Sequence, residues 1–168
     1  MTLRQALERS EGHLAKLEPS FGERAAKWFK ECWAKKVFVL IYCSTRTQEE
    51  QEELWKKGRV PGHPGPKVTS AKGYPVCQSM HCYGKAIDFA PLSQGGTGSW
   101  SVNWGDEETY EIAHRIAESH KLRRLDWETP HLEDATVTGW RELVVPQKEE
   151  VVKKQKKVVS KKKPWASR

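Results

Sequence analysis

His81 and Asp88 lie within Ser-Met-His-Cys-Tyr-Gly-Lys-Ala-Ile-Asp-Phe-Ala-Pro (79–91). A second cluster, Asp-Trp-Glu-Thr-Pro-His-Leu-Glu (126–133), adds Glu128 and His131. Two imidazoles and one carboxylate, with a fourth position left open, make the ligand set of a catalytic zinc. Glu128 lies three residues before the second His, where it could act as base on a metal-bound water. Each residue alone has an ordinary explanation. Asp88 could cap a turn or pair with an Arg, His131 could be a core or surface imidazole, and Glu128 could be a solvated charge. Their joint occurrence is what points to chemistry.

The surrounding pattern supplies elements to hold these side chains. Leu3, Leu7, Leu14 and Leu17 recur at near-helical spacing until Pro19-Ser20 ends the segment. Ser20 with Glu23 resembles a capping box for a second helix, whose apolar face is Phe21, Ala25, Trp28, Phe29, Cys32 and Trp33. Residues 37–42, Val-Phe-Val-Leu-Ile-Tyr, read as a buried strand. Thr47 and Glu50 form another capping box for a helix over 47–57. The Gly- and Pro-rich stretch 58–76 is a loop, and 93–98 is a shorter one. Tyr83-Gly84 permits a tight turn into a strand over 85–90, where Ile87 and Phe89 face one side and Asp88 the other. Residues 106–120 have a helical pattern with Tyr110, Ala113, Ile116 and Ala117 inward. Segments 125–127 and 131–133 are extended, with His131 and Glu133 on one side. Pro130 fixes the chain just before His131 and biases Thr129 toward an extended conformation. The expected fold is α+β, a small antiparallel sheet flanked by helices with the site on a sheet face.

Charge is distributed unevenly along the 168 residues. The net charge of +7 equals the surplus within 147–168, where eight Lys and one Arg face two Glu. The body, 1–146, carries 20 basic and 20 acidic residues and is neutral. A neutral body is a poor electrostatic partner for nucleic acid, and no specific nucleic acid is expected. In the tail, Val144-Val145, Val151-Val152 and Val158-Val159 recur every seven residues among lysines. A helical tail would present a basic amphipathic face to an anionic envelope surface; a disordered tail would only solubilise. No stretch approaches the ~20 apolar residues of a membrane span. The N-terminus has no apolar signal core, so synthesis in a cytoplasm is expected. Cys32, Cys43, Cys77 and Cys82 are too few and too irregular for a disulfide framework, and a reducing compartment is the simplest expectation. A structural zinc at Cys77 and Cys82 would still need further ligands.

Ser79-x-His81-x-x-Gly84-x-Ala86-x-Asp88, taken with Glu128-x-Pro130-His131, resembles the signature of the M15-type (VanY-like) zinc peptidases. That family includes D-Ala-D-Ala carboxypeptidases and the L-alanyl-D-glutamate endopeptidases used as phage endolysins. The resemblance spans roughly 35–135. It implies that His81, Asp88 and His131 bind Zn2+ and that Glu128 is the general base. Cys43-Ser-Thr-Arg46 followed by Gln51 is similar to the family's strand-end segment. There Arg46 would stabilise the oxyanion, Ser79 would touch substrate or support a residue that does, and Gln51 would bind substrate. Asp126 is a rival acid, but it lies five residues before His131.

The resemblance implies a peptidoglycan peptidase. The segment Ala-Ile-Asp-Phe-Ala-Pro (86–91) is most similar to the phage endolysin branch. That branch implies host cell lysis by hydrolysis of the L-Ala–D-Glu stem bond, by a monomer made in the host cytoplasm and acting on the cell wall. The alternative within the family is a D-Ala-D-Ala carboxypeptidase. Alternatives of other classes are a Cys-His hydrolase using Cys43, Cys77 or Cys82, and a zinc-stabilised nucleic-acid-binding module. Neither explains the joint placement of Arg46, His81, Asp88, Glu128 and His131. The expected organisation is a peptidase domain over 1–146 and a Lys-rich tail over 147–168.

Overall fold

The computed structural model describes residues 1–96 and 98–144. The Lys-rich tail expected over 147–168 lies outside the described residues.

Helix α1 (Leu3–Leu14) opens on a capping box between Thr2 and Gln5. Helix α2 (Pro19–Ala34) starts one step before the expected Ser20 cap. Glu18 is its N-cap, accepting hydrogen bonds from the backbone N–H groups of Ser20 and Phe21, with Pro19 in the first turn. A carboxylate there also complements the helix dipole. Strand β1 (Val39–Cys43) follows, then α3 (Gln48–Lys56), capped by the reciprocal Thr47–Glu50 box read from the sequence. Strand β2 (Ala86–Gln94) runs four residues past the expected end, through Pro91. Its extension pairs with β3 (Trp100–Val102), a three-residue strand too short to show alternation in sequence. Helix α4 (Glu107–Ser119) lies between its caps Asp106 and His120. Strands β4 (Leu122–Leu125) and β5 (Glu128–Asp134) form a hairpin, so 126–127 is its turn and not strand as expected.

The sheet is antiparallel in the order β1-β2-β5-β4, with β3 on the end of β2. Ile41, Ile87, Phe89 and Leu132 pack against Phe21, Trp28 and Phe29 of α2 and against Tyr110 and Ala113 of α4. Each such side chain contributes about 1.5–3 kcal/mol on burial. The Trp28 indole meets Phe89 edge-on at 5.1 Å, and its N–H donates to the Ala113 carbonyl at 2.9 Å. Helix α1 packs Ala6 with Leu40 and Leu92. Among the described residues no helix is long and apolar enough to cross a membrane.

Asp134, at the end of β5, ties three segments together. Its buried carboxylate accepts from Arg24 at 2.8 Å, Lys85 at 2.9 Å and both N–H and O–H of Thr136. Burial opposes its charge, but these donors outweigh it and hold the carboxyl well below the usual carboxylate range. The corresponding stability is complete above the ordinary Asp range and is lost as pH falls through and below it. Asp134→Ala leaves Lys85 and Arg24 without their shared anion. It should cost roughly 3–5 kcal/mol in denaturant unfolding at neutral pH. The gap between variant and wild type should shrink in acid.

Candidate metal centre

The site is a row across the sheet. Strand register sets Cys43 opposite Asp88 on β1 and β2, and Asp88 opposite His131 on β2 and β5. Opposed residues of antiparallel strands share a face. The row therefore lies on the face away from Ile87 and Phe89, as strand alternation required.

Two departures from regular pairing complete it. In β1 the register shifts between Ile41 and Cys43, so Tyr42 is an extra residue. Without it, Cys43 would point to the core face with Val39 and Ile41. In β5, Leu132 pairs with Arg124 while Glu128 pairs with Leu125, so residues 129–131 bulge on the β4 side. Positions three apart on a regular strand face opposite ways; the bulge lets Glu128 and His131 approach one another. Pro130, which has no N–H to leave unpaired, sits in that bulge. His114 of α4 braces it through a 2.9 Å contact between Nε2 and the Thr129 carbonyl.

His81 comes from outside the sheet, on a 3-10 turn, Met80–Tyr83. The Ser79 hydroxyl caps the turn by accepting from the His81 N–H, and Gly84 ends it at φ 65° in the left-handed region. A side chain at Gly84 would also bring its Cβ to 2.8 Å from the Glu18 nitrogen. The Arg46 N–H donates to the His81 carbonyl, fastening this turn to the end of β1. Cys77 and Cys82 close it as a disulfide, their Cα atoms 6.3 Å apart. This corrects the expectation of unpaired cysteines and removes both sulfurs from any structural zinc site. A separation of five residues, folded into a turn, meets the spacing a bridge needs.

The donor atoms converge on Asp88. Its Oδ1 lies 3.3 Å from His81 Nε2 and 3.1 Å from His131 Nδ1. Two groups of donor atoms share it: Cys43, His81 and Asp88, and Asp88, Glu128 and His131. Within each group all donor atoms lie within 4.8 Å of one another. The remaining imidazole nitrogens face acceptors. His81 Nδ1 donates to the Ser44 carbonyl, and His131 Nε2 meets Glu133 Oε2 at 3.2 Å. Glu133 is held in turn by Arg123. Such contacts orient a ligating His and fix which nitrogen is free for a metal. Glu133 and Ser44 were not assigned roles from sequence. The alternation that puts His131 and Glu133 on one side was the available signal for Glu133; a backbone carbonyl leaves none.

Electrostatics favour a cation here. Burial opposes charge on Asp88, but the hydrogen-bonded imidazoles outweigh it and hold its carboxyl well below the usual range. Burial alone would lower His81; hydrogen bonds to Asp88 and Cys43 outweigh it and push it up to about 10. His131 is raised in the same way, against burial, by Asp88 and Glu133. A buried anion flanked by two imidazoles attracts either protons or a metal ion. Nitrogen and oxygen donors of this kind suit Zn2+.

The row opens into a cleft of about 720 Å³ that also receives Arg46, Ser79, Asp126, Trp127 and Glu128. Glu128 is exposed at its mouth. Arg46 donates to Gln51 Oε1 at 2.6 Å and to Cys43 Sγ at 3.4 Å. Gln51 is fully buried, and its amide nitrogen donates to the Ala71 carbonyl. Gln51 thus holds Arg46 from behind, and it is not among the residues that line the cleft. Ser79 does line the cleft while capping the His81 turn.

No family model matches the chain. Over 108 residues it is 32% identical to the peptidoglycan L-alanyl-D-glutamate endopeptidase CwlK of Bacillus subtilis (strain 168). The matched stretch covers 59% of this chain and 62% of that protein, so less than two thirds of the relative's length is represented.

Elemental analysis is expected to find one bound zinc per wild-type chain and little in His81→Ala, Asp88→Ala or His131→Ala. Full occupancy in both His variants would remove the ligand assignment. Glu133→Gln keeps every ligand but loosens the His131 orientation. Its zinc affinity in a chelator competition should fall by about 10–100-fold.

Proposed function

We propose that this chain is a zinc-dependent peptidoglycan peptidase of the phage endolysin type, hydrolysing the L-Ala–D-Glu bond of the stem peptide. The observation that carries this is the meeting of Glu128, Arg46 and the buried His81–Asp88–His131 row in one cleft. The stretch similar to an L-alanyl-D-glutamate endopeptidase supports the choice of bond. The Cys77–Cys82 disulfide suits a protein that works outside a reducing compartment.

Zinc, when bound, would supply Lewis acidity that polarises the scissile carbonyl and makes water a nucleophile near neutral pH. His81, Asp88 and His131 would hold it. Glu128, exposed and close to the row, accepts the proton of the attacking water and passes it to the leaving amine. Arg46 remains charged through the cycle and donates hydrogen bonds to the developing oxyanion. Its tether to Gln51 orients the guanidinium before substrate arrives. Arg124, paired with Glu111, and Arg141 line the cleft wall, and Arg141 adds positive charge that suits a stem peptide bearing free carboxylates. The Lys-rich segment 147–168 would add attraction to an anionic envelope.

Glu128→Ala should keep zinc and fold while losing about 10²–10⁴ in turnover. Arg46→Ala should keep zinc and lose about 10²–10³. Near wild-type cleavage by Glu128→Ala would move the base role to Asp126 or elsewhere. Mass spectrometry of digested peptidoglycan identifies the bond. New L-Ala C-termini with D-Glu N-termini are expected; release of D-Ala alone would make the protein a carboxypeptidase.

Removal of residues 147–168 should leave hydrolysis of soluble muropeptides unchanged and weaken attachment to intact envelopes at low salt. The difference should narrow at high salt, where screening shortens the interaction range. Equal low-salt attachment would make the lysines solubilising only.

A further inference from the structure

Four arginines line the cleft, and three of them are already engaged. Arg123 pairs with Glu133 at 2.5 Å, Arg124 pairs with Glu111 at 2.9 Å, and Arg46 is tethered to Gln51. Arg141 differs. Among the described residues no carboxylate pairs with it, and its guanidinium carbon lies 4.4 Å from the centre of the Trp140 ring. Glu142, the acid next to it in sequence, is taken up by Thr138, whose N–H and hydroxyl both donate to that carboxylate. The segment is also tied to the donor row. Arg123 Nη2, which holds Glu133 beside His131, donates to the Thr138 carbonyl at 3.4 Å. The 3-10 turn Trp140–Glu142 follows at once. Contact with Trp140 restricts the long Arg141 side chain and so lowers the entropy lost when a ligand engages it. Its planar fork of donors matches a carboxylate.

The bond assigned above supplies such a group. The amine released from L-Ala–D-Glu stands on the carbon that bears the D-Glu α-carboxyl. The stem peptide continues through the D-Glu side-chain carboxyl, so the α-carboxyl is a terminal group, either free or amidated. We propose that Arg141, backed by Trp140, binds the free α-carboxylate of D-Glu and makes the cleft select it over the α-carboxamide. This rests on the reading of the cleft as an L-Ala–D-Glu peptidase site and names a specificity determinant within it. A carboxamide carries no charge and offers one acceptor oxygen, and its NH2 group would meet the second arm of the guanidinium donor to donor.

The test compares two soluble muropeptides that differ only in the D-Glu α-group, carboxylate or carboxamide, each digested by the full chain with zinc supplied. In wild type, kcat/KM for L-Ala–D-Glu cleavage should be about tenfold higher on the carboxylate, the scale of a charged hydrogen bond to a partly exposed side chain. Arg141→Ala should lose far more on the carboxylate than on the carboxamide, bringing the ratio of the two close to one. Arg141→Lys keeps the charge without the fork, and its ratio should fall between. Equal cleavage of both muropeptides by wild type, or preference for the carboxamide, would overturn the proposal and leave the peptidase reading standing. A wild-type ratio retained in Arg141→Ala, with both rates lowered alike, would overturn it equally, since a merely structural role for Arg141 gives that result. Should Arg141→Ala fail to fold, Arg141→Lys decides by the same ratio. If wild type leaves the L-Ala–D-Glu bond intact in both muropeptides, the proposed function falls and this proposal with it.

Discussion

A carboxylate buried between two imidazoles is costly unless positive charge compensates it, and the arrangement around Asp88 follows from that cost. Asp88 is only 8% exposed, with His81 and His131 on the same oxygen. Its neighbours Ile87 and Phe89 belong to the core, so strand alternation leaves it no route back to the interior. Its position is fixed by pairing on both sides, with β1 and with β5. A one-residue slip of either pairing would put Asp88 opposite the wrong neighbours. Core packing on one face and the convergence of His81, Asp88 and His131 on the other therefore depend on the same register.

Departures from regular structure do the remaining placement. The two bulges rotate Cys43 and Glu128 toward the row, and the 3-10 turn with left-handed Gly84 brings His81 over it. Each local distortion is braced from a neighbouring element. His114 holds the carbonyl of Thr129, Arg46 holds that of His81, and the disulfide closes the turn. The helices contribute by keeping these braces in place: α4 packs its buried face on the sheet and presents His114 near the β5 bulge. The site is thus built from irregular backbone on a regular support.

What was legible in the sequence divides along the same line. Helices with full capping signals and strong periodicity were readable: the Thr47–Glu50 box and the inward face Tyr110, Ala113, Ile116 and Ala117 stand as expected. So was the placement of Asp88 opposite Ile87 and Phe89, because alternation needs no long-range information. The Glu18 cap was obscured because Ser20 and Glu23 offered a more familiar pattern. Strand β3 is too short to alternate, and the bulges depend on pairing that a single strand does not reveal. The disulfide is not legible from cysteine count, because it depends on the turn that brings Cys77 and Cys82 together. The residue types of the row around Asp88 stand out in the sequence, whereas the contacts that Glu133 and Ser44 make to its imidazoles depend on three-dimensional register.

Exposure changes sharply from the donors to the acid beside them. His81 and His131 are 3% and 5% exposed, while Glu128 is open to solvent at the start of β5. A ligand gains from burial, since exclusion of water strengthens its attraction to a cation and keeps its orienting hydrogen bonds intact. A base has the opposite requirement: it must meet an incoming water and later release a proton toward a departing amine. The bulge at 129–131 separates these two environments over three residues of one strand. In the proposed reading, one hairpin carries both a buried ligand, His131, and an exposed base, Glu128.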